Sequence, residues 1–189
     1  MPSPIAHSVS GYLLAKFLPL KKIKFPYSHT WYWLTFYPVL IAILADFDFI
    51  PQIITGKNFH RGLTHSLMFA LLISLILALP FSYLWKYSYR AIFWSNFLLY
   101  CSHLLLDFFT AGGKGMELLW PFTDVFLKSP IAIFPAINHS EGLWELSHLK
   151  AIAFESFYSI LLFWLVSLVK NRLNSQKSKN VFLKSISNH

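Results

Sequence analysis

Four runs of apolar residues, parted by short polar breaks, dominate the chain: 31–50, 62–85, 91–109 and 151–169. A membrane-crossing helix needs about 20 mainly apolar residues, so each run predicts one span. Residues 2–20 form a weaker fifth run. It predicts a short N-terminal helix that either crosses or lies at the interface. Residues 51–61 read as a short polar loop, and 86–90 as a tight basic turn. Residues 110–150, rich in Gly and Pro, form the one long connection. The expected fold is all-α: a polytopic membrane helical bundle over residues 1–169. The polar, basic tail 170–189 is expected to be disordered.

Composition agrees with the pattern. The chain has 189 residues, of which 56% are hydrophobic and 13% charged. Soluble globular domains carry about 25% charged residues. Aromatic residues, at 19%, suit anchoring at the membrane interface. The net charge of +8 does not point to nucleic acid, because the basic residues cluster beside the apolar runs. Lys21, Lys22 and Lys24 form one cluster, and Lys170, Arg172, Lys177, Lys179 and Lys184 another. Both suit topology and anionic headgroups. A lone Cys101 excludes an internal disulfide. The start has no basic leader region, so no cleavable signal peptide is expected.

Spans alternate direction, so the Lys and Arg count gives the orientation. One side holds eleven of them (Lys16, Lys21, Lys22, Lys24, Lys86, Arg90 and five in the tail) against five on the other. The basic side should be cytoplasmic. Segments 51–61 and 110–150 then face outward.

That alternation gathers the chemistry at one membrane face. Asp46 and Asp48 end the first run, His60 and His65 open the second, and His103 and Asp107 end the third. Ionisable residues at membrane depth are costly and so are functional candidates. His103 and Asp107, at i and i+4, share one helical face. Asp46 and Asp48 would diverge on a regular helix, but near a helix end, with Pro51 soon after, both can turn to one centre. His7 reaches that face only if the N-terminal helix crosses. His and carboxylate ligands without cysteine suit Zn²⁺ first, with Mn²⁺ or Fe²⁺ as alternatives. Such a set can hold two ions and make water acidic enough to attack near neutral pH. Arg61 is placed to orient an anionic group. Asp48 and His65 are the candidates for proton handling. Thr64 or Ser66 can cap the second helix.

Other motifs carry less. His29 reads as an interfacial anchor. His139, Glu141, Glu145 and His148 have spacings that fit a solvated amphipathic helix better than a second metal cluster. Gly112-Gly113-Lys114-Gly115 lacks the Gly-Lys-Ser/Thr ending of a phosphate loop and reads as a turn. Trp120-Pro121-Phe122 reads as an apolar plug or interfacial lid.

The order Pro4-x-x-His7, Asp46-x-Asp48, His60-Arg61-x-x-Thr64-His65-Ser66, Ser102-His103-x-x-x-Asp107-x-x-Thr110 and Leu119-Trp120-Pro121 resembles the YdjM-like family. These are membrane-bound metal-dependent hydrolases, also named LexA-binding inner-membrane-associated hydrolases. The resemblance covers residues 2 to about 125. It implies a bacterial inner-membrane location and a hydrolase activity. The order of His, Asp, His and His-x-x-x-Asp is also distantly similar to zinc-dependent phospholipases C. Those carry further His and Glu ligands, which residues 139–148 only approximate.

The expected function is therefore hydrolysis of an ester or phosphoester of a membrane lipid or other amphiphile. A second class is a non-enzymatic structural or regulatory membrane protein with a polar or metal cluster. A third is an ion or proton pathway. Ser74 and Ser95-Asn96 are the main polar residues in the inner halves of the second and third spans, which disfavours a pathway. The sequence identifies no protein partner.

Overall fold

The computed structural model describes residues 4–23, 30–56, 60–135 and 146–187. Among these, six α-helices and three short 3-10 turns form the framework, with no strand beyond two isolated bridges. Helix α1 is Pro4–Ala15, α2 Thr30–Ile43, α3 Phe49–Thr55, α4 Leu67–Leu84, α5 Tyr89–Phe108 and α6 Leu146–Ser187. A 3-10 stretch, Leu44–Asp48, joins α2 to α3, so the first span runs over Tyr32–Thr55. The other spans are Leu67–Leu84, Tyr89–Phe108 and Leu149–Gln176. The four spans expected from the apolar runs are thus present as helices, with the first continuing past Pro51.

Helix α5 is the axis of the bundle. Ile92, Asn96, Leu99, His103 and Asp107 recur at helical spacing and are buried. Helices α1, α2 and α4 pack around it, and α6 packs on α1. The outward faces of α4 and α6 stay apolar and exposed, as at Leu72, Ile76, Leu79, Phe157, Ile160 and Trp164. In a bilayer, lipid covers such faces.

Helix α1 lies close against α2 because Gly11 allows it. A Cβ at Gly11 would fall 2.4 Å from Cβ of Ala42. The two run in opposite directions, so the start of α1 meets the end of α2. The N-terminal run therefore forms a helix of 12 residues that enters the bundle. At about 1.5 Å per residue it is shorter than a full span.

At the end away from Asp107, α2 and α4 meet through aromatic rings. Tyr37 lies 4.6 Å from Phe81 and 4.7 Å from Trp85, and Trp33 lies 6.4 Å from Trp85. At the Asp107 end the connection after α5 folds back as a cover. Leu67 N–H donates to Leu118 O, Glu117 N–H to Arg61 O, and Phe134 N–H to Phe109 O. Trp120 and Phe122 lie in this cover beside Leu67, Met68 and Leu71 of α4.

The tail differs from expectation. Helix α6 continues without a break through Lys170 to Ser187. Residues 170–187 are polar and basic but contain neither Gly nor Pro, and Lys, Arg, Gln and Leu are good helix formers. The candidates His29, His139, Glu141 and Glu145 lie outside the described residues.

Candidate metal centre

The end of α2, the turn before α4, the end of α5 and the start of α1 deliver eight polar side chains to one place. His7, Asp48, Arg61, His65, His103 and Asp107 are buried there, and Asp46 and His60 are partly so. The candidates at the ends of the apolar runs are thus brought together, with His7 among them.

Local backbone explains each placement. The 3-10 stretch changes the angle between Asp46 and Asp48, so they flank His65 rather than diverge. Asp48 Oδ2 is 3.2 Å from His65 Nδ1, and Asp46 Oδ1 is 3.8 Å from its Nε2. The turn at 60–65 wraps Asp48. His60 Nδ1 lies 2.9 Å from Asp48 Oδ1, Arg61 N–H donates to Oδ2 at 3.2 Å, and Thr64 Oγ1 donates to Oδ2 at 2.8 Å. Arg61 takes a left-handed backbone, φ 64°, to make this turn. Ser66, not Thr64, caps α4: its Oγ accepts from Phe69 N–H at 3.1 Å. Tyr100 steadies the turn by donating to Thr64 O at 2.7 Å.

These bonds fix the imidazole tautomers. Ala42 O can only accept, so His103 Nδ1, 2.8 Å away, carries the hydrogen. Thr64 gives its own hydrogen to Asp48, so its oxygen accepts from His65 Nδ1 at 3.0 Å. With both rings neutral, unprotonated Nε2 atoms then face each other, 3.3 Å apart. Around that gap stand Asp107 Oδ2, 3.5 Å from His65 Nε2, and Asp46 Oδ1, 3.5 Å from His103 Nε2. His7 stacks on His103 with ring centroids 3.8 Å apart, and its Nε2 is 3.4 Å from Asp107 Oδ1. Acceptors therefore converge with few donors. Among the described residues, Asp46 Oδ1, both Asp107 oxygens and both His7 nitrogens are buried without a hydrogen-bond partner. Each such atom costs about 1–3 kcal/mol if left unmet.

Two groups have ligand atoms within 4.8 Å of one another: His7, His103 and Asp107, and Asp46, His60 and His65. The nitrogen and carboxylate donors fit Zn²⁺, Mn²⁺ or Fe²⁺. Asp48 has both oxygens engaged with His60, His65, Thr64 and Arg61. That is the placement of a carboxylate behind metal-binding histidines. A proton is the competing occupant. His65 lies on the turn before α4, outside the span. Its burial disfavours imidazolium, but the Asp46 and Asp48 carboxylates outweigh this and push its pKa up to about 9.

Arg61 closes one side. Its Nε is 3.5 Å from Asp107 Oδ2, and its Nη2 has no hydrogen-bond partner among the described residues. Gly113, at φ 65°, lets the cover press against it, with Arg61 Nη1 3.2 Å from where a Cβ would stand.

Beside the cluster lies a cleft of about 690 Å³. Asp48, His60 and Thr64 line its inner part, and Lys114 and Glu117 come from the cover. Leu44, Phe69 and Ile73 carry it down between α2 and α4. The two helices meet at their aromatic end and part here. Lys114 Nζ sits 3.8 Å from the centre of the Phe126 ring.

Sequence reasoning missed Glu155, which is 2% exposed on α6. The signal was available: it is the sole charged residue within the run 151–169.

Residues 1–174 match the family model described as YdjM inner membrane protein. The inner membrane protein YbcI of Escherichia coli (strain K12) is 37% identical over 107 residues, 51% of this chain and 58% of YbcI. The chain thus spans less than two thirds of that relative's length. No solved structure matches. With four membrane spans and a family match over nearly its whole length, the chain belongs to the YdjM family of multi-pass inner membrane proteins.

Proposed function

We propose that this protein is a metal-dependent hydrolase of an amphiphile's ester or, by preference, phosphoester, working at the extracytoplasmic interface of the inner membrane. The observation that carries the metal reading is the convergence of buried acceptors on His65 and His103, whose Nε2 atoms face each other at 3.3 Å. Zn²⁺ is the first candidate, with Mn²⁺ or Fe²⁺ behind it. A divalent ion there supplies Lewis acidity toward an ester oxygen and a water molecule.

The chain's own residues supply the rest. Asp48 holds His60 and His65 in one orientation. Arg61, buried beside Asp107, supplies fixed positive charge for a phosphoryl or carboxyl oxygen. The cleft wall of Leu44, Phe69 and Ile73 suits one hydrocarbon chain, and Lys114 at its mouth suits an anionic headgroup. The excess of Lys and Arg on the opposite side supports the extracytoplasmic placement.

The second reading is a non-enzymatic membrane protein stabilised by the cluster. The raised pKa of His65 favours it, since a shared proton also relieves the acceptors. Metal analysis of the purified protein and of His103→Ala, paired with hydrolysis assays on phosphoesters and phospholipid vesicles, separates the two. The hydrolase reading expects bound metal, its loss in His103→Ala, and turnover by the wild type alone. Equal metal in both proteins rejects this centre. Metal without turnover on any substrate favours the structural reading.

A further inference from the structure

We infer that the cleft selects a zwitterionic amphiphile: one hydrocarbon chain on a phosphodiester that ends in an ammonium group. Lys114 takes the phosphate and Glu117 the ammonium. The inference rests on the reading of this cleft as the seat of an amphiphile and narrows its headgroup. It does not depend on the metal.

The cover sets both side chains. Met116 and Leu127 exchange both backbone hydrogen bonds, at 2.9 and 2.8 Å. Gly115 permits that close approach, since a Cβ there would fall 2.5 Å from Leu127 O. Glu117 and Phe126 are the next residues past this bridge, one on each arm, and both line the cleft. Glu117 N–H donates to Arg61 O at 3.1 Å, which ties its arm to the turn that wraps Asp48. Lys114 enters from the other side of Gly115, with its Nζ 3.8 Å from the centre of the Phe126 ring.

These two charges are the ones the protein leaves unmatched. Asp48, the other carboxylate on the cleft wall, has both oxygens engaged by its own turn. Lys114 is held by a ring rather than by an acid. The Glu117 side chain forms no ion pair or hydrogen bond among the described residues. The pair are three residues apart and opposite in sign, yet they do not join each other.

An amphiphile in the cleft takes water from both charges, so each then needs a partner on the ligand. A purely anionic headgroup satisfies Lys114 but brings a like charge to Glu117. An uncharged headgroup satisfies neither. A phosphate followed by an ammonium meets both, and the misplaced charge of an anionic competitor is what rejects it. Phe47, also on the cleft wall and 43% exposed, adds an aromatic face that an ammonium favours.

The test is native mass spectrometry of the protein released from dodecyl maltoside micelles. It is titrated with lysophosphatidylethanolamine or lysophosphatidylglycerol of one chain length. Wild type should bind the ethanolamine lipid about fivefold more tightly, the upper end for one exposed ion pair. Glu117→Gln should erase that preference and Glu117→Lys should reverse it. Lys114→Gln should weaken both lipids alike, as should Ile73→Trp, which fills the apolar part. Equal affinities in the wild type overturn the inference, and so does a preference that survives in Glu117→Lys. Wild-type binding by Ile73→Trp also overturns it, because the lipids would then lie elsewhere. Free phosphoethanolamine bound as tightly as the lysolipid overturns the amphiphile. If Glu117→Lys does not fold, a preference kept in Glu117→Gln decides against the inference. Binding is read without turnover, so the two readings fail separately. The expected preference in a protein that hydrolyses neither lipid upholds the inference and rejects the hydrolase. Hydrolysis of both lipids at equal affinity does the reverse.

Discussion

His65 and His103 turn their Nε2 atoms toward each other at 3.3 Å, while Thr64, Asp48 and Ala42 O occupy their Nδ1 atoms. Two lone pairs at that distance repel unless something positive lies between them. Removing a bound ion should therefore destabilise the fold. Dialysis against a chelator should lower the melting temperature in detergent, and Zn²⁺ should restore it. At a hundredfold excess over Kd the linkage is worth about 2.7 kcal/mol. A melting curve indifferent to both treatments argues that a proton fills the gap.

Asp48 divides its oxygens between His60 and His65 and takes two more bonds from the Arg61–Thr64 turn. If the proposed metal centre exists, this geometry gives Asp48 an orienting role, so Asp48→Asn should weaken metal binding without abolishing it. Loss of such a partner costs about 10–100-fold in affinity. At saturating Zn²⁺ the stoichiometry should match wild type. Asp107→Asn, by contrast, should lose an ion at any concentration. Competition with a chromophoric chelator measures both, and identical behaviour of the two variants would remove the distinction.

Much of this site was legible because spans alternate direction. That rule alone brings the ends of the first and third runs to the start of the second, and with them Asp46, Asp48, His60, His65, His103 and Asp107. The finer geometry was not legible. Asp46 and Asp48 are two apart, and only the local 3-10 backbone sets them on either side of His65. His103 is fixed by a backbone carbonyl, Ala42 O, which no side-chain pattern announces. His7 depended on whether a weak apolar run enters the bundle, and the small Gly11 facing Ala42 is what lets it do so. The helical tail misled for another reason: a charged composition signals exposure, but without Gly or Pro it does not break a helix.

Gly11 yields the next prediction. A Cβ there would meet Ala42 Cβ at 2.4 Å and Pro38 O at 3.1 Å. Gly11→Leu must push α1 away from α2 and carry His7 with it. Overpacking of this kind costs about 1–3 kcal/mol. The variant should melt earlier and bind less metal. If it melts earlier but keeps full metal, His7 is not a ligand.

The cleft between α2 and α4 separates the binding of a hydrocarbon chain from the chemistry of the centre. Ile73 lies six residues inside α4, about 9 Å below its start, on the wall of that cleft. Ile73→Trp should fill the apolar part and leave the side chains at the cluster in place. Bound metal should be unchanged. Hydrolysis of a long-chain phosphoester should fall by about tenfold, the effect of losing about 1.4 kcal/mol of transition-state binding, whereas a short soluble phosphoester should be turned over as before. Parallel assays on the two substrates, normalised to metal content, provide the measurement. Equal losses on both would mean that the substitution disturbs the centre, and no loss on either would mean that the chain lies elsewhere.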